Sequence, residues 1–120
     1  MILRFWRAGL DPARMEEYRR FEAERCLPML RKQPGLLGVL FLREAGGGAV
    51  SITIWEDMGT VEALESSPSY RQTTRELAES GLLAGEQSVE VFQVESGDLR
   101  SEALVGMLDR TIHARRSRDR

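Results

Sequence analysis

The side chains that most often carry catalysis are scarce in this chain of 120 residues. The single cysteine, Cys26, has no histidine in the first 95 residues to activate it as a nucleophile, so we expect a small packing residue. The single histidine, His113, falls far short of the ligands that a metal site requires. Glu56 and Asp57 are adjacent carboxylates, but at a predicted helix start such residues usually serve as capping groups. The sequence therefore predicts no metal site and no obvious acid–base pair.

Trp55 is a more informative residue, because it lies where a strand gives way to helices in the stretch SITIWEDMGTVEALESSPSY. Asp57 can cap a first short helix, and Ser67 followed by Pro68 can start a second. A tryptophan at such a point can plug the core or border a cleft. Its indole N–H needs a partner in either case, and the sequence leaves both roles open.

The elements that would position such a site can be predicted from the periodicity of residues 1–95. Gly46 to Gly48 join two strands and therefore predict a hairpin loop, not a phosphate loop. Asp11 caps a first helix that Pro28 interrupts. The inner side of the last helix in this part carries Tyr70, Thr74, Leu77 and Ala78. Strands are predicted at 2–8, 36–44, 49–55 and 88–95, with helices at 11–32 and after Asp57 and Ser67. The order is β-α-β-β-α-β, which predicts an α+β, ferredoxin-like sandwich.

Residues 96–120 differ in composition from residues 1–95 and are predicted to form a C-terminal helix with a basic, flexible tail. This segment holds six of the 17 basic and four of the 19 acidic residues, so it is net +2 and the body is net −4. Arginines at a helix end are usually solvated, and the whole chain is net −2, so we expect no nucleic acid as a partner. The first ten residues resemble neither a signal peptide nor a membrane span, which predicts a cytoplasmic protein that does not bind membranes.

Both faces of the predicted sheet carry apolar side chains. On the third strand, Val50, Ile52 and Ile54 lie on one face and Trp55 on the other. Helices can cover only one face, and an uncovered face would leave an apolar patch too large for a soluble monomer. We therefore expect a homodimer that forms through the free sheet face.

The body, residues 1–95, resembles the antibiotic biosynthesis monooxygenase family of dimeric α+β barrels. The resemblance lies in the strand pattern, in the segment CLPMLRKQPGLLGVLFL, and in the strand that ends in Trp55 and continues as EDMGTVEALESSPSY. It implies a dimeric α+β barrel, and as one of several activities a cofactor-independent monooxygenase that oxidises an electron-rich phenol or quinol with O₂. Haem-degrading relatives carry a histidine and a tryptophan where we align Thr74 and Leu64, so the expected cofactor is none.

Such chemistry needs an aromatic wall and a group that stabilises negative charge. The resemblance makes Arg4 and Trp55 the expected catalytic residues, since Arg4 shares a strand face with Trp6. The expected substrate-binding residues are Trp6, Tyr18, Arg43, Tyr70 and Phe92. The alternative for each aromatic is an ordinary core position. The alternative for the whole chain is a non-catalytic dimeric domain that binds a small hydrophobic ligand.

Overall fold

The computed structural model of the chain describes residues 1–118. Its four strands form one antiparallel sheet in the order β2-β3-β1-β4. The strands are β1 (Ile2–Leu10), β2 (Leu36–Arg43), β3 (Ala49–Trp55) and β4 (Leu83–Gln93). With the helices between β1 and β2 and between β3 and β4, this is the β-α-β-β-α-β arrangement that the sequence predicts, so the α+β, ferredoxin-like fold is confirmed.

The helices begin where the capping residues predict. A 3₁₀ turn (Pro12–Arg14) follows Asp11, whose side chain accepts from the amide of Ala13, and leads into α1 (Met15–Phe21). The predicted interruption at Pro28 takes the form of a π-helical segment (Glu22–Cys26), after which α2 (Leu27–Arg31) resumes. Between β3 and β4 lie α3 (Met58–Ser66), which starts at a capping box on Asp57, and α4 (Pro68–Glu79), which Ser67 caps.

Four sequence predictions differ from the structure. Strand β4 begins five residues before the predicted start and ends at Gln93. The early part pairs with β1 on the far side of an irregularity in the ladder, next to which Gly85 adopts a positive φ. The other strand ends move by one or two residues, which is the usual scatter. On α4 the buried residues are Thr73 and Leu77, and Ala78 is exposed. The expected frayed tail is instead part of α5 (Ser101–Arg118); residues 119–120 lie outside the described residues.

The core between helices and sheet is divided into two clusters. The first surrounds Trp55 at one end of β3, and the second surrounds Tyr18 near the other end, at Ala49. The members of the first are Ile2, Met29, Leu30, Trp55, Val61 and Leu64, and those of the second are Leu10, Tyr18, Ala49, Leu77 and Leu82. The space where the two clusters meet is the part of the fold that concerns function.

Within residues 1–118, no helix buries the opposite face of the sheet. Phe92 is 51% exposed on this face and meets Phe5 edge to face, with ring centroids 5.5 Å apart. None of the described residues of helix α5 is buried. Among residues 1–118, no helix is both long and apolar enough to cross a membrane.

Candidate functional site

A partly open cavity lies between the helices and the sheet, at the junction of the two core clusters. Its floor comes from neighbouring strands, because Arg4 pairs with Thr53 and Trp6 pairs with Ser51 on the same face of the sheet. Its roof comes from the helices before β2 and from α4. The apolar lining is Trp6, Tyr18, Met29, Leu30, Phe41, Tyr70 and Leu77, and the polar lining is Arg4, Cys26, Ser51, Thr53, Thr73, Thr74 and Gln87.

Arg4 provides the positive charge of the cavity. Only 5% of this residue is exposed, and its Nη2 donates to the hydroxyl of Tyr70 at 2.9 Å. Its contact with Glu65 is long, at 3.5 Å, and the Glu65 side chain is 47% exposed, so water screens that pair strongly. The buried Nε of Arg4 has no acceptor among the described residues. A buried donor without a partner is unfavourable by about 1–3 kcal/mol.

Trp55 does not line the cavity. The residue is completely buried in the first core cluster, and its Nε1 donates to Oγ1 of Thr53 at 2.7 Å. Thr53 does line the cavity, so the indole reaches the site only through this hydroxyl. The ring of Trp55 thus lies in the core, and its N–H contacts a residue of the cavity wall, Thr53, without reaching the cavity itself.

Tyr18 and Cys26 line the part of the cavity beneath the first helices, and both lie close to the carboxylate of Glu22. Burial, followed by the negative charge of Glu22, raises the pKa of the Tyr18 hydroxyl far above its usual value. The same two causes raise the pKa of Cys26 to about 12. Both groups therefore stay protonated at neutral pH, and Cys26 is not a thiolate nucleophile.

Glu22 is held in place by Arg43 at the end of β2. The two nitrogens Nη2 and Nη1 of Arg43 donate to the two carboxylate oxygens of Glu22 at 2.7 and 3.1 Å. The guanidinium carbon of Arg43 lies 4.9 Å from the ring centroid of Tyr18. Arg43 is therefore part of a buried group behind the cavity wall, and it does not line the cavity itself.

The enclosed space is small. The volume open to the centre of a water molecule is about 60 Å³, whereas an apolar cavity that holds benzene measures about 150 Å³. A one-ring ligand therefore needs the open side of the cavity as well. In the cavity wall, Nε1 of the half-buried Trp6 donates to Oε1 of the exposed Gln87 on β4 at 3.0 Å.

Of the seven expected catalytic and substrate-binding residues, the structure brings four into one cavity: Arg4, Trp6, Tyr18 and Tyr70. Phe92 is separated from them, since it lies on the opposite face of the sheet. Sequence reasoning missed Glu22 and Thr53 as neighbours of the site. Both carried a signal, because Glu22 follows Tyr18 by one helical turn and Thr53 shares a strand face with Trp55.

No site for a metal ion is apparent within residues 1–118, since no three His, Cys, Asp or Glu side chains of this part of the chain come together suitably. Thr74, which we align with the haem-ligating histidine of relatives, lines the cavity and donates its hydroxyl to the carbonyl of Arg71 at 3.0 Å. Leu64 is buried in the first core cluster. Neither side chain can ligate haem iron in the way that a neutral imidazole does.

Comparison with known proteins gives matches in structure only. No family model matches the sequence, and no curated protein matches it. An antibiotic biosynthesis monooxygenase superposes with a TM-score of 0.67 at 13% identity, over 80% of this chain and 100% of that one. SnoaB, a cofactor-independent oxygenase from Streptomyces nogalater, has 20% identity and a TM-score of 0.60 over 80% of this chain and 94% of its own.

A third similar structure is a monooxygenase from the gene ActVA-Orf6 of Streptomyces coelicolor, solved in complex with the ligand nanaomycin D. It has 17% identity and a TM-score of 0.67, over 82% of this chain and 90% of that one. These structures leave about a fifth of the chain without a counterpart. The chain thus has the fold of the antibiotic biosynthesis monooxygenases.

Proposed function

We propose that this protein is a cofactor-independent monooxygenase that oxidises an electron-rich aromatic, a phenol or quinol, with O₂ in the cavity on the helix side of the sheet. The observation that carries the proposal is the buried guanidinium of Arg4, a residue that lines a cavity with aromatic walls. The similarity in fold to a cofactor-independent oxygenase supports it.

The chemistry needs no electron donor other than the substrate. A phenol loses its hydroxyl proton, and the phenolate transfers electrons to O₂ so that a carbon–oxygen bond forms on the ring. The O–O bond then breaks: one oxygen atom remains as a ring carbonyl and the other leaves as water with two protons from the substrate. The products are a quinone and water, and the ring supplies all four electrons.

Arg4 stabilises the negative charge that this reaction develops. A fixed cation in a site from which water is largely excluded favours a phenolate or peroxide oxygen. The hydroxyl of Tyr70 accepts a hydrogen bond from the guanidinium of Arg4 and thereby fixes its orientation. Trp6 and Phe41 supply flat apolar surface against which a ring can pack.

Oxygen consumption with a panel of phenols and quinols tests the proposal. We expect uptake by the wild-type protein and a loss of roughly 100-fold in kcat/KM for Arg4→Gln, as is typical when a preorganised charge-stabilising group is removed. The matched control is Arg25→Gln, which changes an exposed arginine paired with Glu76 outside the cavity. Equal loss in both variants, or no uptake with any compound, would overturn the enzymatic function.

The second candidate is a domain that binds a small hydrophobic ligand without turnover. One observation favours it: Tyr18 and Cys26, two of the titratable groups in the lining, have raised pKa values, so neither of them can act as a base at neutral pH. Saturable binding of aromatic compounds together with no oxygen uptake would support this candidate.

The assembly that we propose is a homodimer through the uncovered sheet face. Phe5 and Phe92 on this face form an apolar surface, to which Leu40 and Leu42 of β2 contribute on the same side. Burying such a surface against a second copy would remove it from water. In this assembly Phe92 serves dimerisation, in place of the substrate-binding role that the sequence suggested.

A further inference from the structure

The cavity has a second polar feature, which the proposed function does not use. Tyr18, Glu22 and Cys26 follow one another at intervals of four residues, and the π segment Glu22–Cys26 carries the last two. Glu22 is only 6% exposed. Its two oxygens accept from Arg43, while the hydroxyl of Tyr18 and the thiol of Cys26 belong to residues of the cavity wall.

The negative charge of Glu22 acts on the cavity although Arg43 neutralises it in part. Burial is the largest cause of the raised pKa of Tyr18; the negative charge of Glu22 comes next and outweighs the lowering effect of Arg43. A ligand oxygen placed beside Tyr18 experiences the same surroundings. An anionic group is therefore unfavourable at this end, and a neutral hydroxyl is favourable.

The Arg4 end of the cavity has the opposite preference. Arg4 lies in the row of the sheet that contains Thr53, whereas Arg43 lies in the row of Ala49, four residues along β3. At roughly 3.3 Å per residue, the two rows are about 13 Å apart along the strands. Arg4 and the Glu22–Arg43 pair thus belong to different parts of the surroundings of the cavity, with a cation in one part and a carboxylate behind the wall in the other.

We propose that Tyr18, together with the carboxylate of Glu22 beside it, determines specificity. The hydroxyl oxygen of Tyr18 accepts a hydrogen bond from a neutral hydroxyl of the ligand, and the negative charge of Glu22 excludes an anionic group from the same place. The ligand class is an aromatic with an anionic or acceptor oxygen on one side of the ring and a hydrogen-bond donor on the other. The proposal rests on the proposed function, because it takes Arg4 as the partner of the acceptor oxygen. It specifies which end of the ligand lies beside Arg4 and which lies beside Tyr18, whereas the proposed function alone does not.

Three rigid probes test this assignment by equilibrium binding: benzoate, para-hydroxybenzoate and terephthalate. For the wild-type protein we expect para-hydroxybenzoate to bind roughly three- to tenfold more tightly than benzoate, which is the range for one neutral hydrogen bond. Terephthalate, with an anion at both ends, should bind on the order of tenfold more weakly than para-hydroxybenzoate. Calorimetry gives the three dissociation constants.

Tyr18→Phe is the most discriminating variant, because it removes one hydroxyl and leaves the ring on Arg43 and the Glu22–Arg43 pair in place. The ratio of the benzoate to the para-hydroxybenzoate dissociation constant should fall to about one. In Glu22→Gln the ratio of the terephthalate to the para-hydroxybenzoate dissociation constant should fall several-fold. Glu76→Gln is the matched control, since it breaks the exposed pair with Arg25 outside the cavity and should leave both ratios unchanged.

The outcomes separate the two proposals. If Tyr18→Phe keeps the wild-type ratio, or if terephthalate binds as tightly as para-hydroxybenzoate, the assignment of Tyr18 and Glu22 is overturned while the function stands. If benzoate does not bind the wild-type protein, or binds Arg4→Gln equally well, the proposed role of Arg4 is overturned, and the direction of the ligand with it. Melting temperatures show whether each variant is folded; should Glu22→Gln not fold, Tyr18→Phe decides alone.

Discussion

At the scale of single residues, Trp55 shows how a core position and a site position can adjoin. We expect Trp55→Phe to lower the free energy of unfolding by about 1–2 kcal/mol, because it loses the hydrogen bond to Thr53 and some packing volume. Ligand affinity should change less than twofold, since the ring does not line the cavity. Urea denaturation and calorimetry measure the two quantities. A tenfold loss of affinity in a fully folded Trp55→Phe variant would contradict this placement.

The same residue shows what the sequence could and could not predict. Alternation along β3 places Trp55 and Thr53 on one face, and strand spacing places Arg4 beside Trp6, so the floor of the cavity was predictable. The burial of Arg4 and its bond to Tyr70 join residues 66 positions apart, and no local pattern carries such a contact. Glu22 was missed for the same reason, since its partner Arg43 comes from another element.

At the scale of elements, the turn before β2 is fixed by close packing against α3. Gly35 has a φ of +81°, and a Cβ at this position would overlap the side chain of Thr60. We expect Gly35→Ala to lower the free energy of unfolding by about 2–4 kcal/mol, because both the backbone and the contact are strained. Gly46→Ala is the matched control: it has an ordinary φ and open space around the added methyl group, so its effect should stay within about 0.5 kcal/mol. Equal unfolding midpoints in urea for the two variants would show that close packing of Gly35 against Thr60 does not contribute to stability.

Caps and turns of this kind explain why the order of the elements could be predicted. Asp57 and Ser67 accept from the amides of Thr60 and Tyr70, so local chemistry starts α3 and α4. Helix α5 is different, because its described residues have no core to bury them and its apolar side chains remain exposed. A helix without a buried side depends more on backbone propensity than on packing, so a pattern of apolar residues says little about its extent.

At the scale of the whole molecule, the uncovered sheet face leads us to expect a dimer. Light scattering coupled to size exclusion should give about twice the chain mass of 13.6 kDa. Phe92→Lys should convert the dimer to a monomer, because it places a charge in the proposed interface. The matched control is Leu104→Lys on α5, where the side chain is similarly exposed at 52% compared with 51% for Phe92. A wild-type monomer at micromolar concentration, or a dimer that only Leu104→Lys dissociates, would contradict an interface through the sheet.

The ionisation of bound para-nitrophenol tests most directly the claim that Arg4 makes the cavity a site for a phenolate. A buried cation favours the charged form of a phenol, so its pKa should be lower when it is bound than when it is free. The phenolate absorbance followed against pH, with protein in excess, gives both values. We predict a depressed pKa with the wild-type protein and with Arg25→Gln, and a loss of the depression with Arg4→Gln. A bound pKa that equals or exceeds the free value, or a depression that persists in Arg4→Gln, would contradict the account.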